Sequence, residues 1–281
     1  AVGALRRLTA QQLTHAIGIA ASMAGGVVAN FGSMTKPLHA GRAAEGGIAA
    51  AELAQAGLTA SPDALDGAAG LLLALAGPGN ADCNAPCGAD LETTLLRVRP
   101  GIKKYPVCYA AHRVVDGVLD LVREHRIAPA EVTAVDATIS ETTAGVLRQH
   151  EPASIDAARF SLEFCVAAAL ARGRLGIAEV SSAALQDPVV RQLMRGVRTH
   201  TVQTSCPLEP SFAYTDRVTV TLRDGTLLDS GPIRFARGHA ELPLDEAQLL
   251  EKLHGCAQPH ERALADGILE RIAAALEPGA S

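Results

Sequence analysis

Two short stretches of this 281-residue chain hold side chains able to move protons and bind anions. In "NFGSMTKPLHAGRAAEGG", Asn30 to Gly47, Lys36 and His39 stand either side of a proline and a leucine in an otherwise alanine-rich neighbourhood. In "KKYPVCYAAH", Lys103, Lys104 and Tyr105 precede His112. An imidazole with an ordinary pKa of about 6.5 takes or returns a proton near neutrality. A lysine adds a point charge and three donors suited to a carboxylate. The types and spacing therefore suit a small acid, with the first stretch read as a loop entering a helix N-terminus. Taken singly, each residue has a structural reading as well. Lys36 and Lys104 fit solvated surface charges, and Tyr105 and His112 fit satisfied core or hinge positions.

Other chemistries lack their residues. No G-x-G-x-x-G follows a strand, and G-x4-G-K-[ST], H-E-x-x-H and G-x-S-x-G are absent, so dinucleotide, nucleoside triphosphate, zincin and hydrolase-elbow sites are not expected. No cofactor and no metal are called for. Cys83 and Cys87 form C-x3-C, but no second Cys/His pair stands at a finger-like spacing. The net charge of −5 offers no field for nucleic acid. No apolar run is long enough to span a membrane, and six scattered cysteines in a chain of this size predict a reducing, cytoplasmic setting. The chain begins with Ala rather than Met, in helical sequence without a charged leader, which predicts that an N-terminal portion precedes it.

The elements that must position these residues fall into three blocks. Thr9 with Gln12 is a capping-box pattern opening a helix that runs to the glycines at 25 and 26. Pro37 suits the first turn of a second helix stopping near Gly57, and Ser61-Pro62-Asp63 predicts a third. Glycines 41, 46 and 47 are expected to let helices approach closely. A second block predicts a helix from about Pro106, a strand in "EVTAVDATIS", an apolar helix ended by Gly173, a helix capped by Asp187-Pro188, and a strand pair turning at Asp224-Gly225. A short helical return follows. The expected fold is mainly α with an α+β module: a helical domain at 1–96, an inserted α+β domain at 97–239, and a return to the helical domain at 240–281.

Three segments carry a wider resemblance. "NFGSMTKPLHAGRAAEGGIAAAELAQAGLTASPDALDG", "KKYPVCYAAHRVVDGVLDL" and "ARFSLEFCVAAALARGRLG" closely resemble, in order, stretches of the MmgE/PrpD family, whose members include 2-methylcitrate dehydratase, cis-aconitate decarboxylase and iminodisuccinate epimerase. The resemblance covers essentially the whole chain. It implies an all-helical large domain interrupted by an α+β lid domain, an active site between them, homodimers, and further helices ahead of Ala1 that complete the site. A chain lacking those helices reads alternatively as a non-catalytic or partner-dependent subunit.

Residue by residue, the resemblance makes His39 and Lys103 pocket residues and gives His112 the position of a histidine common in the family. It implies that His39, Lys103 and His112 act in catalysis and that Lys36, Tyr105 and Lys104 hold substrate. Cys108 stands where the decarboxylases have a histidine, and "SETTAG" lacks their tyrosine after the strand, which weakens decarboxylation. The implied chemistry is removal of a proton α to a carboxylate, with preplaced cations stabilising the enediolate-like transition state. Loss of a β-hydroxyl then gives a dehydratase, and reprotonation on the other face gives an epimerase. The leading expectation is dehydration of a 2-methylcitrate-like hydroxy acid, with epimerisation of an amino- or imino-dicarboxylate next.

Overall fold

The capping box expected at Thr9 and Gln12 forms and opens the first long helix. In the computed structural model, which describes residues 1–77, 79–82 and 100–276, the Thr9 side chain accepts from the Gln12 amide while the Gln12 side chain accepts from the Thr9 amide. The Cys83–Cys87 pair lies outside the described residues. Ala1–Thr94 and Leu95–Ser281 form separate units.

The first unit holds helices α1 (Val2–Leu5), α2 (Ala10–Met23), α3 (Thr35–Gln55) and α4 (Leu71–Ala76). Ala16 and Ile19 of α2 bury against Ala50 and Ala54 of α3, small side chains that let the axes approach. Gly18 is where close approach is compulsory, since a Cβ there would lie 2.7 Å from the Ala60 Cβ. Gly41 and Gly47 differ from expectation: a Cβ at either would meet nothing within 4 Å, and one at Gly46 would make ordinary contact with Met23 at 3.6 Å.

The helix expected from Ser61 does not form. Leu71 and Leu72 donate their amides back to the Ala64 and Leu65 carbonyls, folding the chain into successive turns. Gly67 and Gly70 permit this, because a Cβ at either would lie 2.6 Å from a backbone oxygen. Only after Gly70 does α4 begin.

In the second unit, α5 (His112–His125) and α8 (Leu162–Arg172) pack on a four-stranded mixed sheet in the order β2-β1-β3-β4. Strand β1 (Val132–Ser140) pairs in parallel with β2 (Val197–Val202) and antiparallel with β3 (Arg217–Leu222), which turns into β4 (Leu227–Asp229). Between β1 and α8 lie two short helices, α6 (Glu141–Val146) and α7 (Ile155–Ala158). Two more, α9 (Ser182–Gln186) and α10 (Pro188–Met194), precede β2. Val114, Val115 and Val118 of α5 and Phe164 and Val166 of α8 join Val135, Ile139, Val218 and Val220 in one core. Gly117 brings α5 against the sheet, where a Cβ would lie 2.7 Å from Val218.

The remaining α-helices among the described residues are α11 (Glu246–Cys256) and α12 (Arg262–Leu276). Helix α5 starts later than Pro106 because the Cys108 amide donates out of the segment, to the Arg159 carbonyl at 2.9 Å. A 3-10 turn at Tyr109–Ala111 intervenes. No helix among the described residues is long and apolar enough to cross a membrane.

Candidate active site

The two groups of expected site residues fall in different units. In the first, Lys36 and His39 occupy the N-terminal turns of α3, whose N-cap residue, Met34, makes no side-chain capping bond. The Thr35 amide donates to the Ser33 side chain at 3.3 Å and the Lys36 amide to the Ser33 carbonyl at 3.2 Å, so it is the aligned peptide dipoles of α3 that add positive potential to the lysine charge. The Lys36 ammonium stands 4.2 Å from the Phe31 ring centroid, a cation–π contact. The half-buried His39 ring lies over Gly26, whose φ of +119° and lack of a Cβ make room: a Cβ there would be 3.1 Å from the ring.

In the second unit, Lys103, Lys104, Tyr105 and His112 gather where the 101–107 segment crosses the start of α5. Lys103 is exposed and its ammonium donates to the Val107 carbonyl at 3.2 Å, curling the side chain along its own loop. Lys104 is partly buried, with its ammonium 5.7 Å from the Tyr105 ring centroid. Burial, and then the nearby Arg237 guanidinium, lower its pKa.

Tyr105 is 2% exposed, and its hydroxyl donates to Asp116 at 2.6 Å. Burial and the Asp116 carboxylate raise its pKa, so it remains a phenol. Its one donor is therefore engaged inside the protein, away from the open contact with substrate that the sequence suggested.

His112 is fully buried between the Tyr105 and Tyr109 rings, each with its centroid 5.1 Å away. Neither ring nitrogen makes a hydrogen bond of good geometry, although the Val107 and Tyr105 carbonyls stand close enough to bear on its protonation. Burial, followed by the Lys103 charge, brings its pKa down to about 3. It is neutral at physiological pH and sits behind the lysine loop.

Two residues that sequence reasoning did not single out organise this corner. Asp116, 3% exposed, accepts from Tyr105, from the Arg237 amide at 2.7 Å and from the Arg237 guanidinium at 3.2 Å. Arg237 also reaches both oxygens of Asp120 at 2.9 Å. The available signal was "HRVVDG", in which charged residues interrupt a run of valines on one helix and so require buried partners.

Arg113, beside His112, answers to the same signal. It is fully buried, donates to the Ala213 carbonyl at 3.0 Å and pairs with Glu209, and it packs 4.5 Å from the Phe212 ring centroid. No group of three potential metal ligands gathers among the described residues.

Comparison with known proteins agrees with the order of these segments. The MmgE/PrpD N-terminal domain matches residues 1–84 and the MmgE/PrpD C-terminal domain matches residues 105–277. Cis-aconitate decarboxylase of Homo sapiens is 28% identical over 257 residues, covering 89% of this chain and 52% of that protein. Its Mus musculus counterpart is 28% identical over 258 residues, covering 89% and 51%. The chain thus spans about half the length of the curated relatives it matches. With both family domains matched in sequence order, the chain belongs to the MmgE/PrpD family.

Proposed function

We propose that this chain forms part of a lyase that removes the proton α to a carboxylate of a small di- or tricarboxylic acid. The observation that carries this reading is the anchored cationic loop of the second unit: exposed Lys103 beside half-buried Lys104, on a segment fixed by the buried Tyr105–Asp116 hydrogen bond. Anchored cations stabilise charge that develops on a carboxylate as its α-proton leaves, without reorganising during reaction.

His39 is the group we assign to proton transfer, with Lys36 and the α3 N-terminus supplying positive potential beside it. His112 supports the lysine loop from behind. The larger architecture we propose is a helical domain at 1–96 and 240–281 with a lid at 97–239, working as a cytoplasmic homodimer and needing no metal or organic cofactor.

Dehydration of a 2-methylcitrate-like hydroxy acid remains the leading specific reaction. Cys108 and "SETTAG" differ from the decarboxylase pattern at two places. Decarboxylation is the second reading, favoured by the relatives named cis-aconitate decarboxylase. The test is an assay of the full-length protein against 2-methylcitrate, citrate, cis-aconitate and iminodisuccinate. Consumption of 2-methylcitrate with loss of water is the expected result. Carbon dioxide release from cis-aconitate would replace the first reading with the second, and inertness toward all four would end both.

A further inference from the structure

The lysine loop is held at two points. Ile102 donates its amide to the Gly238 carbonyl at 2.7 Å, and three residues later Tyr105 is fixed to α5 through Asp116. The second point is shared with the partner segment, because the Arg237 amide and guanidinium bind the same carboxylate and Arg237 is the neighbour of Gly238. Asp116 therefore joins three pieces of chain, 101–107, α5 and 236–239, through one nearly inaccessible carboxylate. A buried carboxyl group that accepts from three donors in a water-poor environment makes strong, directional bonds.

Two guanidinium groups, Arg237 and Arg123, face the two carboxylates of Asp116 and Asp120, so the charges of this cluster balance. Lys103 and Lys104, which flank the anchored tyrosine, remain the cations that the loop presents.

We infer that Asp116 is a positioning residue for carboxylate recognition: through the Tyr105 hydroxyl it sets where the Lys103 ammonium stands, without touching substrate itself. This rests on the proposed function, since it takes Lys103 as the group that meets the substrate carboxylate. The Asp116–Tyr105 bond is the specific link. Tyr105→Phe severs it while leaving the Asp116–Arg237 pair and the ring packing against His112 in place. Asp116→Asn changes the hub itself.

The experiment uses the whole chain, with citrate as the tricarboxylate probe in calorimetry and hydrogen exchange read on peptides covering 100–108 and 162–172. Tyr105→Phe is expected to speed exchange in 100–108 by about tenfold or more, leaving 162–172 unchanged, because only the loop loses an anchor. It is also expected to weaken citrate by about fivefold, and Lys103→Met by at least as much. The double variant Lys103→Met/Tyr105→Phe should bind no more weakly than Lys103→Met alone, since the tyrosine acts through the lysine. A purely structural role would give additive losses.

Additivity, or wild-type exchange and affinity in both Tyr105→Phe and Asp116→Asn, overturns the inference. If citrate fails to bind, or Lys103→Met leaves its affinity unchanged, the functional reading is at fault and the exchange data decide the positioning role alone. Faster exchange in 100–108 then retains the anchor, and unchanged exchange removes it.

Discussion

Asp216 lies 3.7 Å from Arg113, with both side chains fully buried, yet neither of its carboxylate oxygens receives a hydrogen bond. Burial, opposed by Arg113 and reinforced by Glu209, pushes the Asp216 pKa up to about 7 from an ordinary 3.8. The folded chain therefore holds this proton more tightly than the unfolded chain. Its stabilising effect is complete below about pH 4 and is lost as pH rises to about 7.

His112 runs the other way. With a folded pKa of about 3 against 6.5, its stabilising effect is complete above about pH 6.5 and is lost as pH falls toward 3. Between about pH 4 and 6.5 the two oppose each other, each with a slope approaching 1.4 kcal/mol per pH unit. Urea denaturation across this range should show that, relative to the parent, Asp216→Asn adds a rise in stability with pH and His112→Gln adds a fall. Parallel profiles for parent and Asp216→Asn would mean that folding leaves the pKa of this acid unshifted.

The two neighbouring lysines should separate in kinetics. Lys103 is exposed at the loop surface, whereas Lys104 is half-buried against Tyr105. Under the proposed α-proton chemistry, Lys103→Met should cost about 2–4 kcal/mol in kcat/KM and Lys104→Met much less. Equal, small effects would remove both lysines from the chemistry.

His39 offers a test in the first unit. His39→Gln should leave the helical signal and melting temperature near those of the parent, because the ring is only half-buried over Gly26. Under the proposed chemistry, turnover should fall by about two orders of magnitude if the ring moves the proton. Unchanged turnover excludes it from the chemistry.

Packing makes an independent prediction at two glycines. Gly117→Ala inserts a methyl 2.6 Å from Ile233 and 2.7 Å from Val218, and should destabilise the second unit by about 1–3 kcal/mol. Gly47→Ala adds a methyl to open space within α3 and should stabilise that helix by about 0.5–1 kcal/mol. Thermal melts of the two variants should move in opposite directions.

Local chemistry was legible where one residue decides the backbone. Thr9 with Gln12, Asp187 before Pro188, Gly173 and Asp224-Gly225 each mark the helix end or turn that their sequence signals predict. Strand β2 was not legible. Its "VRTHTV" buries only Val197, so no hydrophobic alternation announces it, and parallel backbone pairing with β1 defines it. The turns after Ser61 were misread for a related reason: a Ser-Pro-Asp start signal is local, whereas the amides that displace the helix come from Leu71 and Leu72. At the candidate site, residue types pointed to Lys103 and His112 but not to Asp116 or Arg237. Their partnership joins positions 121 residues apart, a separation that no motif spans.

The Ile102–Gly238 hydrogen bond has a topological consequence. A Cβ at Gly238 would fall 1.9 Å from the Ile102 carbonyl oxygen, so the two strands of chain cross with no side chain between them. All four strands of the sheet, with α5 through α10, lie on the polypeptide between those residues. The whole mixed module thus enters and leaves through a single narrow neck. A segment whose ends already touch can be excised, expressed alone, or exchanged for the equivalent piece of a relative without drawing apart the chain on either side.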